Sequence, residues 1–397
     1  MRASSCLALT YTLLLGCPES HPDVPDAGAI LDAGVPSPPR PTLTFSEPEL
    51  WVPPTWMLGA VSGDGKRLEG AILANRMRLP EPGHDRSLGV AWRSVPGAED
   101  GLLGLEGRGT HWALVEVELA PGEHLLARAD RAWRIVCDGR PQPGDIYGSG
   151  KLRVPVCSRP GRHLVAVQAS AARGQPVIQL FRSRDELMLN ASDETRSDLR
   201  VGDDSPMPLG LALLNLTDAP IWSVRARVLD NEHFEAREVV LPGLGPQALT
   251  QLRFALHPKA PFVTAGEEVT VTLEVEAEPL RARYRLERRY EVQPADAPYR
   301  RSFVSPIDDS VQYYGVRPPT GGPQAGLGLV LSLHGAGVEA IGQARAYSSK
   351  DWATIVAATN RRPFGFDWEE WGHFNALASL DDAMARFESD PQRVHVV

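Results

Sequence analysis

Near the end of the chain, a histidine and two glycines follow an apolar run. The segment LGLVLSL at 327–333 leads directly into His334, Gly335, Ala336 and Gly337. Because glycine lets the backbone approach a ligand closely, main-chain N–H groups in such a turn could stabilise a developing negative charge. The alternative is an ordinary strand-to-helix turn. The imidazole of His334 is a candidate catalytic base.

A second cluster combines acidic and aromatic side chains within a few positions. Asp367, Trp368 and Trp371 stand on either side of Glu369 and Glu370. These side chains either line a substrate cleft or pack a loop over the sheet below. Adjacent carboxylates point in different directions and make a poor pair for general acid and base catalysis. Cysteine and histidine pairs at zinc-ligand spacing are missing from the sequence, so we predict neither a metal nor a cofactor.

The residues around these clusters predict alternating strands and helices. The runs 327–333 and 354–359 are continuously apolar, as in strands buried on both faces. Apolar residues at 377, 380, 384 and 387 recur at spacings of 3, 4 and 3, which indicates an amphipathic helix over 376–387. A third strand is expected to begin at Arg393. This order predicts a parallel sheet covered on both faces.

Three segments resemble the α/β-hydrolase superfamily, in particular its prolyl-oligopeptidase-like (S9-type peptidase) and esterase-like members. They are LSLHGAG at 331–337, RPFGFDW at 362–368 followed by Trp371 and Gly372, and DPQRV at 390–394. The resemblance implies a partial α/β-hydrolase domain over 299–397. It implies a serine hydrolase that cleaves a small ester or peptide substrate by acyl transfer.

The same resemblance assigns roles to individual residues. Ala336 and Gly337 would be the backbone donors of an oxyanion hole, and His334 would support their turn. In this family the strand that opens at Arg393 leads into a Gly-x-Ser-x-Gly nucleophile elbow, which is absent from all 397 residues. We therefore expect the N-terminal portion of a cell-envelope serine hydrolase that is inactive in this form.

Upstream of this segment, period-2 alternation predicts two all-β domains. The stretch HWALVEVELA at 111–120 alternates apolar and acidic residues, and Pro-Gly or Asp-Gly pairs separate neighbouring runs. We expect a jelly-roll-like domain over 43–183, similar in pattern to galactose-binding-like jelly rolls, and an immunoglobulin-like sandwich over 184–298. The first is either a carbohydrate- or partner-binding module or a structural spacer. The predicted fold class is therefore two all-β sandwich or jelly-roll domains followed by the N-terminal half of an α/β-hydrolase doubly wound sheet.

The first residues resemble a bacterial lipoprotein leader. A short apolar segment at 7–15 runs into LLGC at 14–17, which is similar to a lipobox. We expect a signal peptide over 1–17, lipid on Cys17, and a flexible Pro/Asp/Ala/Gly tether over 18–42 like those of myxobacterial surface lipoproteins. The alternative is a plain secretory signal. Pro18 rather than Asp after the cysteine favours the outer membrane.

Composition limits the remaining partners and function classes. The formal net charge is −9, which argues against a nucleic-acid partner. Cys137 and Cys157 are expected to form a disulfide in an oxidising compartment, the alternative being two buried free thiols. Two function classes stay open: an envelope hydrolase, and a non-catalytic surface lipoprotein that binds a glycan or a protein through its β-domains.

Overall fold

The computed structural model describes residues 41–61, 65–146, 148–172, 174–278, 280, 283–335, 338–361 and 368–397. All of them belong to one unit of the fold, Arg40–Val397. The predicted signal peptide and nearly all of the predicted tether lie outside the described residues. None of the described helices combines the length and the apolar character needed to span a bilayer.

The first β-domain is a two-layer sandwich. The elements up to residue 183 are β1 Thr42–Thr44, β2 Glu49–Trp51, β3 Thr55–Val61, α1 Lys66–Leu73, β4 Gly83–Asp85, β5 Val90–Pro96, β6 Thr110–Leu119, β7 His124–Asp130, β8 Ala132–Cys137, β9 Arg140–Pro143, β10 Val154–Cys157, β11 Gly161–Ser170 and β12 Val177–Ser183. One sheet has seven strands in the order β4-β5-β3-β6-β11-β8-β9, and the other has four in the order β10-β7-β12-β2.

Alternation along β6 explains how this domain buries both faces of its larger sheet. Val115 and Val117 point into the core between the two sheets. Trp112 and Leu114 point to the opposite face, where they pack with Leu68 of α1. Successive side chains of a strand face opposite ways, so a strand covered by a sheet on one side and a helix on the other is apolar on both.

The second β-domain is also a sandwich. Its strands are β13 Leu187–Arg196, β14 Met207–Asn215, β15 Ile221–Val228, β16 Arg237–Leu244, β17 Leu249–Leu256, β18 Glu268–Glu278 and β19 Arg283–Glu291. Five strands in the order β1-β19-β18-β15-β16 face three in the order β13-β14-β17. Every second residue of β18 is buried, from Val269 to Ala277, and these side chains fill the core between the layers.

The C-terminal segment forms a mixed sheet with two helices. Its elements are β20 Tyr299–Val304, β21 Val311–Arg317, β22 Gly328–Ser332, α2 Ala340–Ala346, β23 Ala353–Ala357, α3 Trp371–Arg386 and β24 Val394–Val396. The strand order is β20-β21-β23-β22-β24. The strand β22 is parallel to both β23 and β24, while β20 and β21 form an antiparallel hairpin. Tyr314, Leu331 and Val356 lie in its core.

The predicted fold class is contradicted by the structure as a whole. Strands make up 49% of the described residues and helices 10%, so this part of the chain is mostly β rather than built on a doubly wound α/β sheet. The prediction relied on two apolar runs, which form β22 and β23. Those strands are short and join a mixed sheet, whereas the alternating strands of both sandwiches dominate the fold. The β-sandwich part of the prediction fits.

Candidate functional site

His334 lies in the turn that follows β22, at the carboxyl end of the parallel strands. Its ring is buried, with Nε2 2.9 Å from the carbonyl oxygen of Ala358 and Nδ1 3.1 Å from that of Gly335. Trp368 donates its indole N–H to the main-chain oxygen of His334 over 3.1 Å. A carbonyl oxygen only accepts, so the nitrogen bonded to Ala358 is an N–H donor without a lone pair for a substrate proton. The geometry makes His334 a support for the turn.

The other predicted site residues divide between described and undescribed positions. Ala336, Gly337, Asp367 and the predicted lipidation residue Cys17 lie outside the described residues. Trp368 is half-buried beside His334, with their ring centroids 5.2 Å apart. It packs against the hydrophobic core of the C-terminal sheet. Trp371 is 55% exposed and is free to meet a ligand.

The backbone on both sides of this loop takes a conformation that non-glycine residues rarely adopt. Asn360 has φ 53°, Arg361 has φ 69° and Glu370 has φ 44°. The buried side chain of Asn375 holds the start of the loop, because its Oδ1 accepts a hydrogen bond from the Arg361 N–H over 3.1 Å. Such conformations cost energy and concentrate at functional sites.

Arg361 is the last described residue before position 368, and its guanidinium makes several contacts. Its guanidinium pairs with Asp308, donates to the Ser305 hydroxyl over 3.3 Å, and lies 5.5 Å from the ring centroid of Trp371. Burial raises the pKa of Asp308, but hydrogen bonds from Ser310 and from Arg361 outweigh it and hold that pKa below its ordinary value. The carboxylate therefore stays charged and keeps Arg361 in place.

Arg361 also lines a polar cavity where the two β-domains and the C-terminal segment meet. We call it the junction cavity. Its volume is about 250 Å³. The lining residues are Ser149, Lys151 and Leu152 from the first domain, Asp193, Glu194, Thr195, Leu249 and Gln251 from the second, and Gln312, Tyr313, Thr359 and Arg361 from the C-terminal segment. Side chains from three distant parts of the sequence thus meet around one space.

Specific hydrogen bonds hold the walls of the junction cavity together. The Asn190 amide donates to the carbonyl oxygen of Lys151 over 2.7 Å and so joins the first two domains. The Gln251 side chain pairs with both backbone groups of Val311, at 2.7 and 3.2 Å, and joins the second domain to β21. Between Asn190 and Glu194 the pairing of β13 with β14 shifts register, which turns the following side chains towards the cavity wall.

Hydrogen bonds hold two side chains of the cavity wall in place. Glu194 accepts hydrogen bonds from Arg196 at 2.8 Å, Arg288 at 3.0 Å and Tyr290 at 3.2 Å. Tyr313 donates its hydroxyl to Glu339 over 2.9 Å, and burial together with that carboxylate raises the pKa of Tyr313. Both side chains are therefore fixed in position by contacts within the protein.

Sequence reasoning missed most of this cavity. Lys151, Gln251 and Gln312 carry no motif, and they lie about a hundred or sixty residues apart along the chain. The aromatic and acidic cluster at 367–371 was the one signal near it, and it pointed to Trp371. Polar side chains that converge only through packing between domains leave no local pattern to detect.

The helix α3 presents an apolar surface beside the loop. Trp371, Phe374 and Leu377 are 55%, 56% and 44% exposed. They recur every three residues, so they share one face of the helix. The predicted helix over 376–387 lies largely within α3, and Leu380 and Met384 pack on the core while Leu377 does not.

Cys137 and Cys157 form a disulfide with Cα atoms 6.1 Å apart. It connects β8 of the seven-stranded sheet to β10 of the four-stranded sheet. His163 lies beside it, bonded through Nδ1 to Asp138 at 2.6 Å and through Nε2 to the carbonyl oxygen of Arg159 at 2.6 Å. Among the described residues, only these two cysteines with His163 come close enough together to hold a metal. In the disulfide their sulfurs are not thiolates, so they do not form a metal centre.

Comparisons with known proteins give weak likenesses. No family model matches the chain, and no curated protein matches it. Among solved structures, the chain is similar to Bacteroides uniformis beta-glucuronidase 2 covalently bound to cyclophellitol-6-carboxylate aziridine, with 12% identity, a TM-score of 0.36, and coverage of 76% of this chain and 37% of that one. It is also similar to a GH2 beta-galacturonidase from Eisenbergiella tayi bound to glycerol, with 14% identity, a TM-score of 0.34, and coverage of 76% and 51%.

The chain spans about a third to a half of the length of these structures. A putative beta-galactosidase from Bacteroides fragilis is a further example, with 11% identity, a TM-score of 0.35, and coverage of 76% of this chain and 46% of that one. Likenesses this weak transfer no substrate and no activity to the chain.

The predicted membership in the α/β-hydrolase superfamily is contradicted. The described part of the chain is mostly strand, whereas that superfamily is built on a doubly wound α/β sheet. The prediction gave too much weight to short motifs over about a quarter of the chain. A serine esterase or peptidase is not supported.

Proposed function

We propose that this chain binds a carbohydrate, and that the junction cavity together with Trp371 forms the binding site. The observation that carries the proposal is the wall of this cavity, where hydrogen-bond donors and acceptors from three domains face a common space. An exposed indole lies next to it, across the Arg361 guanidinium. This combination matches a ligand that is polar at its edges and apolar on one face.

The polar groups complement sugar hydroxyls, which both donate and accept hydrogen bonds. Lys151 and Arg361 supply donors, while the amide oxygen of Gln312 accepts. The junction cavity, with a volume of about 250 Å³, could hold about eight waters or a single sugar ring. Small-molecule sites combine a concave surface with a few placed polar groups.

The aromatic side chain supplies the apolar part of the site. The C–H face of a sugar packs on an indole ring, and Trp371 offers that ring at 55% exposure. Arg361 lies against the same ring and also lines the cavity, so a sugar in the cavity and one on Trp371 would be adjacent units of one glycan. Since Glu194 is occupied by three donors, we propose binding rather than bond cleavage for the described part of the site.

A glycan array followed by isothermal titration calorimetry tests this proposal. Trp371→Ala should weaken binding of an array hit about tenfold or more, since a lost aromatic contact of this kind is worth about 1.4 kcal/mol. Trp222→Ala is the matched control, because Trp222 is 57% exposed but lies on β15 of the second domain. An array without any hit, or an equal loss in both variants, would contradict the proposed site.

We further propose that lipid on Cys17 holds the chain at the outer membrane, with the β-domains outside. The lipobox-like sequence at 14–17 supports this placement. Metabolic labelling with a radioactive fatty acid tests it. Label should enter the natural chain and be absent from Cys17→Ala, which should then leave the membrane fraction. Label retained in the variant would contradict lipidation at this residue.

A further inference from the structure

We propose a second binding site, for a compact oxyanion such as a carboxylate or a phosphate group, in a cavity between the second β-domain and the C-terminal segment. The cavity has a volume of about 660 Å³, and Arg200, Arg301 and Arg386 all line it. We call it the arginine cavity. It shares no lining residue with the junction cavity, so this site stands independently of the proposed glycan site.

Arg200 is a buried cation without an acidic partner in the described part of the chain. It is 8% exposed, and none of the ion pairs formed there within 4.0 Å includes it. Its guanidinium lies 3.7 Å from the ring centroid of Tyr299 and donates to the carbonyl oxygen of Ala295 over 2.7 Å. Its Nε atom has no hydrogen-bond partner. A buried charge is costly unless it is paired, so this guanidinium favours an anion in the adjoining space.

Arg301 and Arg386 increase the positive charge around the same cavity. Arg301 is 1% exposed, and its ion pair with Asp203 measures 3.3 Å. Arg386 is partly exposed, and its nearest carboxylate, that of Asp382, is 3.6 Å away. Burial lowers the pKa of Arg301, and the positive charge of Arg386 lowers it further. The two guanidinium groups are therefore close enough to repel each other.

The carboxylates on the wall do not balance these cations. Asp203 already accepts hydrogen bonds from the backbone and side chain of Ser205 as well as from Arg301. Asp296, the other acidic residue of the lining, is exposed to solvent. Arg301 is therefore paired with Asp203 and Arg386 with Asp382, which leaves Arg200 as the guanidinium on this wall without a carboxylate partner among the described residues. Guanidinium groups bind carboxylate and phosphate through paired N–H donors, which defines the ligand class.

Titration calorimetry on the full chain in detergent, at constant ionic strength, tests this site with two probes. Inorganic phosphate represents a phosphorylated ligand, and succinate represents a carboxylate ligand. We expect saturable binding of at least one probe. Arg386→Gln should weaken it about tenfold, as expected for one lost charge-assisted hydrogen bond. Arg200→Gln should have at least the same effect.

Arg162→Gln is the matched control, because its side chain is 73% exposed on β11, away from the cavity. Circular dichroism spectra show whether each variant is folded. If Arg200→Gln does not fold, the result for Arg386→Gln alone decides whether the arginine cavity binds the probe. Phosphate binding alone identifies a phosphorylated ligand, and succinate binding alone identifies a carboxylate. Failure of both probes to bind, or equal weakening by Arg162→Gln, overturns the proposal.

Discussion

Removing the disulfide between Cys137 and Cys157 should destabilise the first β-domain by about 3 kcal/mol. The two residues are separated by 20 positions in the sequence. For a loop of this length the chain-entropy relation gives about 11 cal/mol/K, which is about 3 kcal/mol at 25 °C. Both cysteines are less than 5% exposed in the core between the sheets. Alanine is the better replacement for both, because a buried serine hydroxyl would add its own cost.

Urea unfolding combined with hydrogen exchange would measure this loss. The transition of the first domain should move to lower urea by about 1 to 3 M, given an m-value of about 1 to 3 kcal/mol/M. Amide protection should fall in β6, β8 and β11 but not in β18, whose core is separate. Hydrogen exchange is needed because a chain with several cores does not unfold as two states.

Reducing agent supplies the control. It should reproduce the shift in the natural chain and leave the double-alanine variant unchanged. An unchanged transition in the variant, or an equal loss of protection in both domains, would refute the reasoning that the bond acts by restricting the unfolded first domain.

Three further predictions concern single residues. In Gly372→Ala the new Cβ would lie 1.6 Å from the Asn360 Oδ1, so the Asn360 side chain, next to Arg361, must move; glycan affinity measured by calorimetry should fall severalfold, and unchanged affinity would separate this contact from the site. Arg301→Met leaves Asp203 without its buried partner and should lower the free energy of unfolding by about 3 to 5 kcal/mol, measured by urea titration. A loss smaller than that caused by replacing an exposed arginine would contradict the importance of the pair. Burial lowers the pKa of His124, so the unfolded chain binds a proton at a pH where the folded chain does not. The free energy of unfolding should therefore be constant above pH about 6.5 and decrease below it, with a slope of up to about 1.4 kcal/mol per pH unit. His124→Gln should remove this slope. A pH-independent difference between the natural chain and His124→Gln would contradict that assignment.

The alternation of apolar and polar residues predicted the strands of the β-sandwiches well. The alternation around Val115 and Val117 predicts a strand of a sandwich, and β6 lies there. Local pattern was less informative for the C-terminal segment. The runs at 327–333 and 354–359 do form strands, but apolar runs and short motifs say little about the fold class of the whole chain or about its relatives. That is why the predicted α/β-hydrolase family and doubly wound sheet were wrong.

The candidate sites show a similar division. A cluster of aromatic and acidic residues drew attention to Trp371, because side-chain type and spacing are visible along the chain. The partners of that residue across the junction cavity were not visible. Lys151, Gln251 and Gln312 become neighbours only when three domains pack together, and the same holds for Arg200 and Arg386 in the arginine cavity.

The sequence by itself therefore determined the local elements: the alternating strands, the turns between them, and the apolar side chains available for each core. These depend on interactions between residues a few positions apart, and periodicity records them. Only the tertiary structure decided which sheets pair, which charges are buried without a partner, and which polar side chains share a cavity. Those properties depend on contacts between residues far apart in the chain, and no short-range pattern encodes such contacts.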